Sequence, residues 1–400
     1  MIKIVYAFVL VLFLFSCEVR EGVEVGDNEL HSLYEYINTL DEGSIIPGHY
    51  IVSFSDELKR EIRSIENGNE RLSKVQEISE DLLSNASRAQ SSSANYYYSN
   101  AFIGFAGPIS KRTIEELQSD ERVGTIEKDA VMGLGGSFTA SGRTFRGERR
   151  SYGVTRVNGG VKYQGEKKIF VIDTGVDEDH EDLNVDKVNS YSVFKWGFDR
   201  NIDDRHGHGS HVAGIIGAKD NSQGVVGVAA GAPIIAVKVL DRKGNGSISG
   251  VLEGFDYVQE IGKEGDIVNI SFGGHRSRAL DEGVEEVADN GLIVVVAAGN
   301  EETNVSNRSP SGVDHDNVLI ISSMDDRDRW SHFSNYGKGV DYCAPGEEIL
   351  SCYRDGDYEV MSGTSMAAPH VAGILLLGEI KTDGAVKRDP DRYDDPIAIH

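Results

Sequence analysis

The sequence is poor in cysteine and in basic residues, and it has no long hydrophobic run and no internal repeat. Its 400 residues contain 3 Cys and 11 His, with 40 basic against 65 acidic side chains and a formal net charge of -25. The acidic excess excludes a nucleic-acid-binding surface, because phosphates demand a basic one. The cysteines show no zinc-type spacing with histidine. The length allows two or three domains, and the charge fits a soluble extracytoplasmic protein or simple surface solubilisation.

The longest apolar run at the N-terminus, residues 4–15, follows Lys3 and is too short to cross a bilayer. It is typical of a signal peptide. Cys17 follows the small Ser16, with Leu14 three positions before it, which resembles a bacterial lipobox. Residues 1–17 are therefore predicted to be a lipoprotein signal peptide with Cys17 as the lipidated anchor. The bulky Phe15 leaves ordinary secretion open, so the predicted location is the bacterial cell envelope or the exterior.

The other two cysteines, Cys343 and Cys352, are separated by eight residues. In an exported chain a hairpin could bring them together as a disulfide. Two separate buried thiols are equally consistent with the sequence.

The first 151 residues divide into four segments by composition. After the signal peptide, residues 18–47 form an acidic N-terminal segment. Residues 48–132 alternate strand patterns (48–54, 102–106, 123–129) with helical ones (58–89 and a helix beginning at Ser110). They predict a small domain of mixed α and β structure. Residues 133–151 are rich in Gly, Ser, Thr and Arg and predict a linker with a processing site.

Residues 152–400 form the last predicted domain. Short Val/Ile-rich runs at 169–172, 234–239, 267–270 and 292–296 alternate with helical patterns. Continuous apolar strands with intervening helices indicate an α/β fold whose parallel sheet is covered on both faces.

Four polar side chains are predicted at strand tips or helix starts of this domain. Asp173 ends the strand 169–172, and Asn300 follows the strand 292–296 and a short Ala-Ala-Gly segment. His208 and Ser365 each begin an apolar helix. Together they supply a nucleophile, a base, a carboxylate to orient the base and an oxyanion donor. Taken singly, each has an ordinary structural explanation: a turn for Asp and Asn, a helix cap for Ser, and a metal site for the histidines 206, 208 and 211.

Three motifs around these residues resemble those of the subtilisin (subtilase) family of serine proteases, nearest to the proteinase K branch. They are Val171-Ile172-Asp173-Thr174-Gly175-Val176-Asp177, Gly207-His208-Gly209-Ser210-His211-Val212-Ala213-Gly214 and Gly363-Thr364-Ser365-Met366-Ala367-Ala368-Pro369-His370. Ser210 stands where the family usually has Thr. The order Asp, His, Ser is also the family's, and the similarity covers about residues 152–378. The resemblance implies a three-layer sandwich with a mostly parallel central sheet.

The resemblance also implies roles for the four residues. Ser365 would be the nucleophile, His208 the general base and acid, and Asp173 the group that orients the imidazole. The Asn300 side chain and the Ser365 N–H would form the oxyanion hole. His211 would pack on its helix and His206 would face solvent, so neither would be catalytic.

Substrate contacts follow from the same resemblance. Ser271, Phe272 and Gly273 lie in a segment whose backbone pairs with an extended substrate, which implies broad specificity. Ala298 and Gly299 would line the primary side-chain pocket and leave it open to large apolar groups. Glu301 would lie near its rim.

Structural calcium is implied at two places. The first site would use Asp182, Asn221 and the carbonyls of Lys219, Gln223 and Val225, with Glu148 as a further ligand. The second would use Asp341 with the carbonyls of Asp316 and Val318. Oxygen ligands of this mixed type suit calcium, although a polar turn without metal explains each segment as well.

The domain at 48–132 resembles a subtilisin-type propeptide of α+β, ferredoxin-like fold, in the segments 50–54 and 102–106. In that family the propeptide assists folding and inhibits the enzyme until autocleavage, which here would fall between residues 133 and 151. The predicted protein is a broad-specificity serine endopeptidase made as a zymogen. Its predicted partners are polypeptide substrates and its own propeptide, with membrane contact only through the lipid anchor and a monomeric state. The alternative is a catalytically inactive surface binding protein on the same scaffold.

The sequence departs from the family after Ser365. Only 35 residues follow it, and residues 381–400 are polar with two Asp-Pro pairs. An unusual C-terminal packing is therefore expected.

Overall fold

The structure, a computed structural model, describes residues 36–37, 39–86, 92–135, 147–195 and 197–400. They fold into an N-terminal domain, which ends with a strand at Gly133, and a C-terminal domain, which begins near Arg149. The predicted signal peptide with Cys17, and most of the predicted linker, lie outside the described residues. Among the described residues, no helix has the length and apolar character needed to cross a membrane.

The N-terminal domain is one antiparallel sheet with helices on one face. Its strands lie in the order β4-β1-β3-β2, which is the ferredoxin-like arrangement, with two helices in place of one between β1 and β2. A core of apolar side chains such as Phe54, Leu82 and Phe105 lies between sheet and helices. The elements are β1 (Ile45–Phe54), α1 (Asp56–Arg63), α2 (Gly68–Ala86), β2 (Tyr96–Ser99), β3 (Ile103–Pro108), α3 (Lys111–Leu117) and β4 (Val123–Gly133).

Two predictions for this domain were wrong in detail. The single helical segment 58–89 is two helices, because the Asn67 side chain accepts a hydrogen bond from the Glu70 N–H at 3.1 Å and starts a second helix. The strand Tyr96–Ser99 was missed. It has no alternating pattern, and its place in the sheet depends on pairing with β3.

The C-terminal domain contains the larger sheet and five helices among the described residues. Its helices are α4 (Tyr152–Arg156), α5 (His208–Gly217), α6 (Ile248–Ile261), α7 (Arg278–Asp289) and α8 (Thr364–Leu377). Its strands are β5 (Arg149–Arg150), β6 (Val161–Lys162), β7 (Ile169–Asp173), β8 (Tyr191–Ser192), β9 (Val225–Val226), β10 (Ala229–Ala230), β11 (Ile234–Lys238), β12 (Asn245–Ser247), β13 (Ile267–Ile270), β14 (Gly274–His275), β15 (Ile293–Ala297), β16 (Arg308–Ser309), β17 (Val318–Met324), β18 (Tyr342–Pro345), β19 (Ile349–Cys352), β20 (Tyr358–Met361), β21 (Lys381–Ala385) and β22 (Pro396–Ile399).

The central sheet has nine strands in the order β21-β22-β18-β17-β15-β13-β7-β11-β8. Every neighbouring pair is parallel except β21 with β22. Successive side chains of β7 enter opposite cores: Phe170 and Ile172 pack with α6 and α7, and Ile169 and Val171 pack with α5 and α8. A strand buried on both faces explains the continuous apolar run. The predicted three-layer fold is confirmed.

The polar C-terminus completes an edge of this sheet. Strand β22 pairs in parallel with β18, and its Ile397 is buried. Beside it, the Ser322 hydroxyl donates to the buried Asp395 carboxylate at 2.5 Å. The unusual C-terminal packing is thus a two-stranded extension in which Ile397 and Ala398 of β22 are buried and β21 is exposed.

The two domains are joined by a continuous sheet edge. Strand β12 pairs antiparallel with the end of β4, with Asn245 opposite Gly133 and Ser247 opposite Val131. Two carboxylates of β4 also accept hydrogen bonds from first-turn N–H groups of the other domain: Asp129 from Ser249 at 3.2 Å and Glu127 from Ala279 at 3.1 Å. Helix N-termini favour such negative charge.

Cys343 and Cys352 are both buried free thiols. Burial raises the pKa of each thiol well above its ordinary value. Of the two possibilities left by the sequence, the structure has the separate thiols.

Candidate active site

The functional side chains lie beyond the carboxyl ends of adjacent strands of the central sheet. Asp173 ends β7, Ser271 follows β13 and Asn300 follows β15, and these three strands are consecutive in the sheet. Helices α5 and α8, which begin at His208 and Thr364, pack on the same face. The parallel strand order therefore brings together four residues that are far apart in the chain.

His208 and Asp173 are completely buried and in direct contact. The His208 Nδ1 lies 2.8 Å from Asp173 Oδ1 and 2.9 Å from Asp173 Oδ2. A carboxylate at this distance requires a proton on Nδ1, which leaves Nε2 as the basic nitrogen. The Asp173 carboxylate is itself held by the Thr174 N–H at 2.7 Å.

The buried Asp204 fixes the start of the His208 helix, and sequence reasoning missed it. Its carboxylate accepts hydrogen bonds from the N–H groups of Gly207 and Ser210, both at 2.8 Å. It also accepts the Thr174 hydroxyl at 2.9 Å, and the Thr174 oxygen accepts the Gly209 N–H. Asp204 thereby ties the His208 helix to the tip of β7. An Asp four residues before the His, at a predicted helix start, was the available signal.

Ser365 lies in the first turn of α8, and its hydroxyl donates to the Ser271 carbonyl at 2.8 Å. Pro369 lacks the N–H that would bond to the Ser365 carbonyl in a regular helix. That carbonyl instead accepts the Ser271 hydroxyl at 3.0 Å. Because of Pro369, the Ser365 carbonyl is available to bond with Ser271, and this contact holds Ser365 next to the end of β13.

The Asn300 amide is held in one orientation by Thr364. Its Oδ1 accepts the Thr364 N–H at 2.8 Å and the Thr364 hydroxyl at 3.0 Å. Because the backbone N–H can only donate, the contacting atom must be the oxygen. The amide nitrogen is then the group that can donate to a ligand beside Ser365.

The other two histidines of the segment have different surroundings. His211 is buried, and its Nε2 donates to the carbonyls of Ile349 and Glu359 at 3.0 and 3.1 Å. Burial lowers the pKa of His211 to about 3, so it stays neutral and structural, as expected. His206 was expected to face solvent and does not: it is half-buried, with its ring centroid 6.4 Å from that of His208.

A pocket lies beside Ser365, and its walls include all the residues predicted for substrate binding except Ser271. Phe272, Gly273, Ala298 and Gly299 line it, together with Asn300 and Thr364. Gly299 has φ +104°, and a Cβ there would lie 2.2 Å from Asn335 Nδ2. Only glycine fits this wall.

The pocket is more polar than the sequence predicted. Arg308 and Glu301 line it and form an ion pair at 3.0 Å. Asn335, which is completely buried, donates to the Glu301 carboxylate at 2.7 Å and to the Ala298 carbonyl at 2.8 Å. The pocket wall is thus built around a fixed charge pair. The expectation of an open apolar pocket did not include Arg308, which is seven residues from Glu301 and has no sequence signal of its own.

The end of the N-terminal domain lies in the cleft as an extended strand. Gly133 is paired with Asn245 on one side and with Gly273 on the other. The next side chain, Leu134, packs on Gly244, where a Cβ would meet it at 2.7 Å. Gly135 then borders the pocket that Ser365 and Asn300 line. Residue 133, predicted as the first of a linker, is therefore part of a strand.

The residues of the first predicted calcium site lie together. The loop 219–225 folds over Asp182, whose carboxylate accepts hydrogen bonds from Asn221 Nδ2 at 2.9 Å and from the Val225 N–H at 2.8 Å. Glu148 Oε1 accepts the Asn221 N–H at 2.8 Å. Gln223 and Lys219 belong to the same loop. One carboxylate within a loop of carbonyls and amides is a donor set that suits calcium.

The second predicted calcium site has less support. The Asp341 carboxylate accepts the Ile320 N–H at 2.8 Å, and burial raises the pKa of this carboxyl. Within the described ranges, no group of three or more His, Cys, Asp or Glu side chains is placed to hold a metal, here or at the first site. Asp316 and Val318 were predicted to contribute their carbonyls there.

The arrangement can perform nucleophilic acyl transfer. It combines a serine at a helix start, a histidine whose tautomer is fixed by a buried carboxylate, and an oriented amide donor beside the serine. The strand that already occupies the cleft shows that an extended polypeptide fits it.

Comparisons with known proteins identify relatives of this chain. The sequence profile of the Subtilase family matches residues 165–381, and that of Peptidase inhibitor I9 matches residues 49–134. The chain is 34% identical over 342 residues to a cuticle-degrading protease of Metarhizium anisopliae, covering 83% of this chain and 79% of that protein. It is 32% identical to the alkaline serine protease ver112 of Corniculantispora psalliotae, covering 82% of this chain and 79% of that protein. A crystal structure of a cold-adapted subtilisin-like serine proteinase is 36% identical, with a TM-score of 0.49, and covers 56% of this chain and 83% of that one.

Proposed function

The chain belongs to the subtilase family of serine endopeptidases and carries an I9-type inhibitory domain, and we propose that Ser365, His208, Asp173 and Asn300 are its catalytic residues. The observation that carries this assignment is the buried His208–Asp173 contact at the tip of β7. Ser365 and the oriented Asn300 amide line the pocket next to it.

The proposed reaction proceeds in two acyl-transfer steps. The Ser365 Oγ attacks the scissile carbonyl while its proton moves to His208 Nε2, and Asp173 stabilises the resulting imidazolium. The Ser365 N–H and the Asn300 Nδ2 donate to the oxyanion of the tetrahedral intermediate; loss of one such donor typically costs about 100- to 1,000-fold in turnover. His208 then gives the proton to the leaving amine. Water, activated by the same histidine, releases the acyl group.

A covalent label tests the assignment. A fluorophosphonate probe reacts only with a serine that is activated as a nucleophile, so we expect mass spectrometry to find the adduct on Ser365 in the mature protein. A catalytically inactive binding protein on this scaffold, the alternative function, would give no adduct. An adduct on another serine would contradict the assignment.

Substrate recognition is proposed to be mainly through the main chain. Gly133 of the bound strand pairs with both Asn245 and Gly273, so a substrate would enter as the middle strand of a three-stranded arrangement. Contacts of this kind are independent of sequence and support broad specificity for unfolded polypeptides. Ser271, Phe272, Gly273, Ala298 and Gly299 are the proposed subsite residues.

The N-terminal domain is proposed to be the inhibitory propeptide, with its end bound as the first substrate. Leu134 packs on Gly244 and Gly135 borders the Ser365 pocket, which supports autocleavage after Gly135. This position lies within the predicted processing segment 133–151. It would leave the residues up to 135 as a product bound in the cleft, where they block other substrates until the domain dissociates.

Release of the cleaved propeptide is expected to be favoured as the pH rises. Burial at the domain interface raises the pKa of Asp129 to about 6 and that of Asp256 to about 7, from an ordinary 3.8. Asp256 accepts the N–H groups of Ser99 and Asn100 across the interface. A carboxyl with a raised pKa in the docked state binds best when protonated, so the affinity is full below about pH 4 and declines up to about pH 7.

Size-exclusion chromatography of the autocleaved complex at pH 5, 6, 7 and 8 measures this release. The dissociated fraction should increase with pH, and Asp256→Asn should flatten the dependence because an amide does not titrate. Greater dissociation at pH 5 than at pH 8 would contradict the expected sign.

Calcium is proposed as a structural ion at the first site, held by Asp182, Asn221 and the carbonyls of Lys219, Gln223 and Val225. It would supply stability by cross-linking the loop to the domain. A site saturated about 100-fold above its Kd stabilises by about 2.7 kcal/mol, so a chelator should lower the Tm of the mature protein by roughly 5–10 °C. Asp182→Asn should remove most of this chelator effect. Asp341→Asn tests the second proposed site, with Asp316 and Val318, in the same assay, and an unchanged Tm with chelator would argue against both.

An extracytoplasmic location is proposed, with Cys17 as a lipid anchor. The support is the sequence of residues 1–17. Cys17→Ala should move the unprocessed protein from the membrane fraction to the soluble one, and continued retention would count against the anchor.

A further inference from the structure

The primary pocket contains a cation that the general family mechanism does not require. Arg308 lines the pocket with a side chain only 12% exposed. One ion-pair partner of Arg308 is Glu301. Arg308 contacts Glu301 Oε1, and Asn335 Nδ2 donates to Glu301 Oε2 at 2.7 Å. Glu301 contacts Arg308 through a single guanidinium nitrogen, Nη2.

The other partner of Arg308 comes from the segment that precedes the propeptide strand β1. Glu42 Oε1 lies 3.0 Å from Arg308 Nη2, and the two residues are 266 positions apart in the chain. Two hydrogen bonds to Val131 hold this segment in place. The Gly43 N–H donates to the Val131 carbonyl, and the Val131 N–H donates to the Ser44 carbonyl, each at 2.9 Å. The pocket therefore already binds a carboxylate, and that carboxylate belongs to the part of the chain that autocleavage would release.

The Glu42 carboxylate lies next to the residue that ends the bound strand. Gly135 has no side chain and has φ +56°, so a glutamate in its place would take a different backbone angle. An ideal Cβ built on Gly135 lies 3.1 Å from Glu301 Oε1 and 3.6 Å from Glu42 Oε2, which gives the scale of the space. From ordinary bond lengths, the carboxylate oxygens of a glutamate lie roughly 2.8 to 3.6 Å from its own Cβ. A glutamate before the cleaved bond could thus bring its carboxylate to the region that Glu42 occupies, whereas the shorter aspartate would not reach as far.

From these contacts we propose that Arg308 is a specificity-determining residue that makes the primary pocket select glutamate immediately before the cleaved bond. This inference rests on the proposed function and names the preferred substrate of the same site. In the zymogen, Glu42 supplies the carboxylate that the glycine at the processing site lacks. After release of the propeptide segment, Arg308 keeps Glu301 and gains room for a second carboxylate from a substrate.

The hydrogen-bonding capacity of Arg308 favours this selection, because its guanidinium carries five N–H donors. Arg308 and Glu301 together are neutral, so a neutral substrate side chain leaves a buried guanidinium with one carboxylate partner. A glutamate restores the two-carboxylate arrangement seen here, with hydrogen bonds between charged groups, which are the strong ones. A glutamine of the same shape offers only a neutral acceptor.

The test compares peptide p-nitroanilides that differ only in the residue before the cleaved bond: glutamate, glutamine or leucine, each preceded by leucine as in the bound strand. Active enzyme is normalised by fluorophosphonate labelling of the mature protein. We expect kcat/KM for glutamate to exceed that for glutamine about tenfold or more, a range that one charged contact supplies. Arg308→Met should bring this ratio to one or below while changing kcat/KM for leucine by less than about threefold.

Two further variants distinguish the effect of the Arg308 charge from a general disturbance of the enzyme. Arg156→Met removes the same charge from a partly buried arginine outside the pocket, paired with Asp328 and Asp383, and should leave the glutamate-to-glutamine ratio unchanged. Glu301→Gln removes the like charge and should raise the ratio. If Arg308→Met does not mature, the glutamate-to-glutamine ratio of the wild-type enzyme alone tests the preference for glutamate.

The role of Arg308 would be overturned by a wild-type glutamate-to-glutamine ratio of one or less, or by a high ratio that Arg308→Met leaves unchanged. In either case, hydrolysis of the other peptides would leave the proposed function standing. Absence of both labelling and hydrolysis of every peptide would overturn the proposed function, and this inference with it.

Discussion

Replacing Ser365 with alanine is expected to abolish peptide hydrolysis and to leave the chain at full length. The hydroxyl is the only group in the proposed site that can form the acyl-enzyme, so kcat should fall roughly a millionfold, as when subtilisin loses its nucleophile. The fold should persist, because the hydroxyl makes a single recorded hydrogen bond, to the Ser271 carbonyl. Mass spectrometry of the purified proteins gives the readout: the wild-type chain should begin at Gly136, and the variant should keep its N-terminal domain.

Ser362→Ala is the matched control for this substitution. Ser362 lies three residues away, and its hydroxyl accepts the Glu348 N–H at 2.9 Å, outside the site. It should mature and hydrolyse peptides at nearly the wild-type rate. If Ser365→Ala, purified without other proteases, still lost residues 1–135, then self-cleavage by Ser365 would be wrong.

Replacing Asp173 with asparagine should lower kcat about 10,000-fold without unfolding the protein. Asp173 accepts the Thr174 N–H and contacts His208 Nδ1 through both oxygens. An amide has one donor end, so in Asp173→Asn the favoured histidine tautomer carries its proton on Nε2, where the base is needed. The protein should still bind the fluorophosphonate probe slowly and keep its circular dichroism spectrum.

A neighbouring carboxylate gives the comparison for Asp173. Asp177 is also buried, and it accepts the Gly356 and Asp179 N–H groups without contacting His208. Asp177→Asn should affect the Tm more than the kcat. Equal losses of kcat in the two variants would indicate that general disturbance of the loop, and not the tautomer of His208, explains the effect.

Some residues of the site can be predicted from the local sequence, and others cannot. Asp173, His208 and Ser365 were predicted because each stands within a motif at a strand tip or helix start, which the sequence pattern displays. Asp204 and Thr364 were missed, although each is within four residues of a predicted one. Their role depends on the direction of side chains that spacing alone does not give.

In the N-terminal domain, too, some elements were predicted from the local sequence and one was missed. Its strands β1, β3 and β4 were predicted from strand patterns in the sequence, but the strand Tyr96–Ser99 was not. Its Tyr98 is buried because its hydroxyl donates to the Ser249 carbonyl of the other domain at 2.9 Å. Burial that depends on a partner domain leaves no periodic pattern in the segment itself.

The family, the three-layer fold and the candidate nucleophile, base and carboxylate could be predicted from the sequence, because short motifs encode the strand tips and helix starts that hold them. The charge of the primary pocket could not be predicted, because it depends on contacts between segments that are distant in the chain. Arg308 contacts Glu301 and Glu42 there, Asn335 holds Glu301, and Glu42 is 266 residues away from Arg308. Ion pairs between distant segments are chosen by packing, since many acidic side chains of this chain could have been the partner and only their positions in the fold distinguish them.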